Sequence, residues 1–156
     1  MMARTAPILP RLCAALLLLL AGAQATVHAQ QPTAHHCGRT AAHPIDAAYV
    51  AAMERSGGVT ADMRDAQSTA YAAWDKELNR LYAQVLKAAG SARRDSLRAA
   101  QRAWLAFDKA QAQWDMAVHA DQGSSAALNV AGAGLARLRA RVCDLDTDLQ
   151  ALKDSP

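Results

Sequence analysis

Apolar residues recur along this chain in steps of three and four, and the clearest run closes the sequence: Leu128, Ala131, Leu135, Leu138, Val142, Leu145, Leu149 and Leu152. Such spacing lays one apolar stripe along a helix that packs lengthwise on others, and it predicts a helix over about 126–153. A second stripe runs through Met63, Ala66, Ala70, Trp74, Leu78, Leu81 and Val85. It predicts a helix over about 60–89, capped by Thr60 with Asp62 in its first turn. A third stripe is Leu97, Ala100, Trp104, Phe107, Trp114 and Val118, widened by Leu105, Ala112 and Met116. It predicts a helix over about 92–120. Gly90-Ser91 and Asp121–Ser125 separate the three with stops and fresh caps. Tyr49, Val50 and Met53 share a face after Pro44, which predicts a shorter helix over 46–55 closed by Ser56-Gly57-Gly58. The period-two alternation of a strand appears nowhere.

Helices of nearly thirty residues are each about 40 Å long, and short links make sequential helices antiparallel. The expected fold is therefore all-α: an elongated antiparallel bundle of three long helices plus a short N-terminal helix. Trp74–Tyr82 and Leu97–Phe107 should face each other across the turn near residue 90. Partners there have numbers adding to about 180, which sets Asn79 opposite Gln101 and brings Arg98 and Arg102 within reach of Asp75 and Tyr82.

The N-terminus changes the domain plan. Arg4 and Arg11 precede an apolar run over 12–23 that is too short to span a bilayer, and Val27 and Ala29 have the spacing of a cleavage site. Residues 1–29 read as a signal peptide, 30–45 as an extended lead-in and 46–153 as the helical domain. The other reading of the apolar run is an uncleaved anchor. A periplasmic or secreted location follows, with no stable membrane anchor after cleavage. Loss of Arg4 and Arg11 leaves the mature chain near +1, without the basic footprint of a nucleic-acid binder. Cleavage also removes Cys13, so Cys37 and Cys143 remain, and in an oxidising compartment they are expected to form a disulfide. Two free thiols or a metal pair are the alternatives.

Candidate chemistry is sparse. Asp75, Asn79 and Tyr82 share one helical face, while Gln101, Arg102 and Trp104 lie on the next helix. They read either as a buried hydrogen-bond network that holds register or as a polar docking patch. One carboxylate beside amides makes a poor acid–base pair. His35-His36-Cys37, with His43 and Asp46 beyond, lacks a recognised ligand spacing, so no metal site and no cofactor is assigned. His119 follows Asp115 by four residues, as in an ordinary exposed helical pair. Arg137, Arg139 and Arg141, then Asp144, Asp146 and Asp148, read as a solvated face. Nucleophile elbows and phosphate loops are missing, so no enzymatic activity is expected.

The order Thr60…Met63, Tyr71, Asp75-x-x-Leu78-Asn79-x-x-Tyr82, Leu97-Arg98-x-x-Gln101-Arg102-x-Trp104, and then a leucine-spaced helix resembles the LprI-like lysozyme-inhibitor family of small exported helical proteins. The resemblance covers about residues 60–149. Ala66, Ala112 and Gly134 stand where that family often carries cysteines, so its bridge pattern does not carry over. The resemblance implies a protein partner, with a lysozyme-type muramidase as the candidate, and transfers no inhibitory residue. Many lysozymes are cationic, and an inhibitor gains association rate from negative charge, which a mature chain near +1 does not offer overall. Ser56-Gly57-Gly58 and Asp121–Ser125 are the loops that could enter a sugar-binding cleft. The expectation is a non-enzymatic exported binding protein; the alternative is a periplasmic carrier of a small ligand or metal, using the Asp75/Asn79/Gln101 region or His35-His36.

Overall fold

The computed structural model describes residues 36–154, whose regular structure is all helical, with no strand among them. The expected signal segment lies outside the described residues, as do residues 30–35 of the expected lead-in. Helix α1 spans Pro44–Arg55, α2 Thr60–Ala88, α3 Gly90–Val118 and α4 Ala126–Asp154. Single 3₁₀ turns stand at His36–Gly38 and Gly123–Ser125. Of the lead-in, His36–Gly38 form that first turn, and residues 39–43 run without regular structure to an extended His43.

Each boundary has a local cause. Pro44 opens α1, where a missing N–H is harmless, and His43 Nδ1 accepts the Ile45 N–H at 3.3 Å. Ser56 Oγ closes α1 by donating to the Met53 carbonyl at 2.7 Å. Thr60 is not the N-cap of α2; Val59 holds that position and offers no side-chain bond. Ser91 likewise caps nothing, because α3 already begins at Gly90. Gly90 takes φ +65° and reverses the chain almost without a loop, a conformation that a side chain would oppose.

The core lies between α2 and α4. Ala70, Trp74, Leu78, Leu81 and Val85 of α2 meet Leu135, Leu138, Val142, Leu145 and Leu149 of α4, and all are buried. These two helices run parallel: Gln67 reaches the Leu128 carbonyl near their starts, and Lys87 and Lys153 line one hollow near their ends. Helix α1 lies on α2, contributing Ile45 and Tyr49 to the core. Helix α3 runs against α4 and has little contact with α2.

That arrangement corrects the expected α3 stripe. Leu97 and Trp104 do touch the core, but Leu105, Phe107, Trp114, Met116 and Val118 are all more than half exposed. The buried residues of α3 are Gln101 and Asp115. A wide apolar helix can be rotated about its axis without losing helical character, so its sequence does not say which flank meets the core. Here polar partners on α4 set the rotation.

Candidate functional site

The anticipated polar group is divided by the structure. Asp75 and Asn79 are exposed on α2, and Asn79 Nδ2 donates back to the Asp75 carbonyl at 2.9 Å and to its carboxylate at 3.1 Å. Gln101 is buried on α3, and its Oε1 accepts from Arg141 Nε and Nη2 at 3.2 and 3.1 Å. Tyr82 and Trp104 are half-buried against the core, and Arg102 is exposed. Gln101 therefore holds α3 to α4, and Asp75 with Asn79 forms a local surface pair.

The arginines expected on a solvated face turn out to hold the helices together. Arg137 pairs with Asp108 at 2.8 Å and also with Asp115, both on α3. Arg139 reaches Asp46 of α1 at 2.5 Å, and its guanidinium carbon stands 5.6 Å from the Trp74 ring centroid. Of the following aspartates, Asp144 and Asp148 are exposed, whereas Asp146 pairs with Arg39 at 2.6 Å. Asp115 is not an exposed partner of His119. It accepts from Gln111 Nε2 at 3.0 Å, while His119 Nδ1 lies 2.9 Å from Gln122 Oε1. Hydrogen bonds from Gln111 and then Arg137 hold the Asp115 carboxyl below its ordinary range.

A consequence of this polar junction is testable. Arg137→Met should leave Asp108 and Asp115 facing each other without their shared cation, so hydrogen exchange should quicken along α3 while the α2–α4 core stays protected. Acid should act alike on the unaltered chain. Because the Asp115 carboxyl is lowered when folded, its contribution is present above the ordinary 3.8 and is lost as pH falls through the lowered value.

The disulfide is present: Cys37 and Cys143 are bonded, with Cα atoms 5.1 Å apart. It ties the 3₁₀ turn to α4 beside a cluster of tilted rings. His36 and His43 lie over Trp74 with centroids 4.3 and 4.4 Å from it, and His36 Nδ1 is 3.4 Å from Cys143 Sγ. Burial, followed by the Arg139 charge, pushes the His36 pKa below its ordinary 6.5. The potential ligand atoms of His36, Cys37 and Cys143 lie within 4.8 Å of one another, but both sulfurs are consumed by the bridge. His35 lies outside the described residues.

Two other surfaces are concave or protruding. A groove of about 740 Å³ opens between α2, α3 and α4, with Tyr71, Asp108 and Arg137 among its walls. Burial and the charge of Asp108 push the Tyr71 hydroxyl above 10.0, and Arg137 already neutralises Asp108. Such groups suit binding better than proton transfer. The α1–α2 loop and the α3–α4 loop lie at the same end of the fold, because α2 and α4 start side by side. Around that end Glu54, Asp62, Asp65 and Asp121 are exposed, against Arg55 and Arg64. Around the opposite end Lys87, Arg93, Arg94 and Arg98 face Asp95 alone over 87–98. A nearly neutral chain thus carries its charge unevenly, which only the helix directions reveal.

Comparison with known proteins adds the family. No curated protein and no solved structure matches this chain. A family model described as Lysozyme inhibitor LprI matches residues 51–145, from within α1 to well along α4. On a match over more than half of its length, with the motif residues of α2 and α3 inside it, the chain belongs to the LprI lysozyme-inhibitor family.

Proposed function

We propose that this protein is exported after loss of residues 1–29 and inhibits a lysozyme-type muramidase by binding it, without chemistry of its own. Three long helices and one short one act as a single antiparallel bundle that presents the binding end. The family match over 51–145 carries the reading. The distribution of exposed charge supports one end of the fold as the binding surface. The loop end formed by Ser56–Val59 and residues 119–125 is acidic locally, although the chain is not acidic overall, and Gly57 and Gly58 take φ +54° and +86° there. A cationic enzyme would be steered to that end and away from the basic one.

The test is a turbidity assay of cell-wall lysis with a panel of purified muramidases and the mature chain. At least one enzyme should be slowed, and a complex with it should elute in gel filtration. Asp62→Lys with Asp65→Lys should lower the association rate about tenfold at low ionic strength and much less at high salt. Asp75→Ala with Asn79→Ala tests the surface pair on α2, and inhibition should be unchanged. Failure to slow or bind any enzyme of the panel sinks the proposal.

A further inference from the structure

We infer that the outer face of α3 is an interface between two copies of this chain, paired antiparallel. The exposed residues Ala100, Ala103, Phe107, Ala110, Trp114 and Ala117 follow steps of three, four, three, four and three. That is a 3.5-residue repeat, the pattern of a seam between two helices rather than of a face that meets a flat sheet or a loop. None of the four helices described covers it: Phe107 is 54% and Trp114 63% exposed. No charged residue falls on the seam or on the positions directly flanking it, which are Ala99, Ala106 and Gln113 on one side and Trp104, Gln111 and Val118 on the other. Depletion of charge with aromatic anchors marks the centre of an interface more than a solvated surface.

The order of large and small residues says what the occupant is. In an antiparallel pair of identical helices, the two seam positions of each repeat face one another. Setting Phe107 of one copy against Ala110 of the other also sets Trp114 against Ala103 and Ala100 against Ala117. Each ring then meets a methyl group, and the alanines let the backbones approach closely. A parallel pair would press Trp114 on Trp114 and leave alanine against alanine, with a clash beside a void. The face is complementary to itself in one orientation, as a two-fold dimer interface must be. This inference does not depend on the inhibitor reading, since it uses a different surface from the loop end.

Analytical ultracentrifugation of the mature chain over a concentration series tests it. A reversible dimer is expected, with dissociation raised about tenfold or more by Phe107→Arg and by Trp114→Ala. Both residues are exposed, so the thermal midpoint of the dilute monomer should not move. Orientation is read by cross-linking. Mixing Ala100→Cys chains with Ala117→Cys chains should give a cross-linked heterodimer under oxidation, while Ala100→Cys alone should not self-link, its two copies lying about 25 Å apart. A monomer at every concentration overturns the inference, as does a dimer indifferent to Phe107→Arg or ready self-linking of Ala100→Cys. A monomer whose face instead binds anionic phospholipid vesicles or a muramidase overturns it too.

Discussion

Replacing Trp74 by alanine is expected to lower the free energy of unfolding by about 3–5 kcal/mol, measured by urea denaturation. Trp74 is fully buried in α2. Three partners from other elements rest on its ring: His36 from the 3₁₀ turn, His43 at the start of α1 and Arg139 from α4. Alanine would leave a cavity and remove the surface on which these elements meet. Trp74→Phe should cost far less, because most of the ring volume stays and the indole Nε1 has no hydrogen-bond partner among the described residues. Trp114→Ala, at low protein concentration, should stay within about 0.5 kcal/mol of the parent, as surface substitutions do. An equal loss at Trp74 and Trp114 would contradict the burial that separates them.

Removing the bridge is the second large effect. Cys37→Ser with Cys143→Ser should lower stability by about 4–5 kcal/mol, since the bond closes a loop spanning 106 residues and the unfolded chain regains that freedom. The loss should be matched by adding a reductant to the unaltered chain, and the double variant should no longer respond to reductant. Because Cys37 sits in a left-handed turn with φ +56°, freeing it should also release His36 from Trp74. A urea midpoint unchanged by both treatments would show that the bridge contributes nothing.

Much of the scaffold was legible from spacing. The three long stripes predicted α2, α3 and α4 to within two residues at every end, because a 3.6-residue repeat and a Gly-Ser break are local properties. The Cys37–Cys143 pairing was legible by elimination once Cys13 was assigned to the signal segment. The motif residues Asp75, Asn79, Gln101 and Trp104 led to the family, and the family match agrees. Their arrangement was not legible. Asn79 and Gln101 were expected to face each other because α2 and α3 are joined by a tight turn, yet the long neighbour of α2 is α4. Connection by a turn enforces direction, whereas packing area decides which helices share a core.

The arginines show the same limit from the other side. Arg137, Arg139 and Arg141 looked like a solvated run, since nothing local distinguishes a surface arginine from one that bridges helices. Their roles depend on Asp46 of α1 and on Gln101, Asp108 and Asp115 of α3, both far from them in sequence.

Helix content, the cysteine pair and family membership are thus properties this sequence determined by itself. Each rests on neighbours a few residues apart or on a simple count. Which helices pair, the outward turn of Phe107 and Trp114, and the placing of Asp121 at the same end as Glu54, Asp62 and Asp65 were decided only by tertiary structure. These depend on the rotation and direction of whole helices, which are set by long-range partners. A stripe in the sequence tells which residues seek company, and only the packed helices show which of them found it.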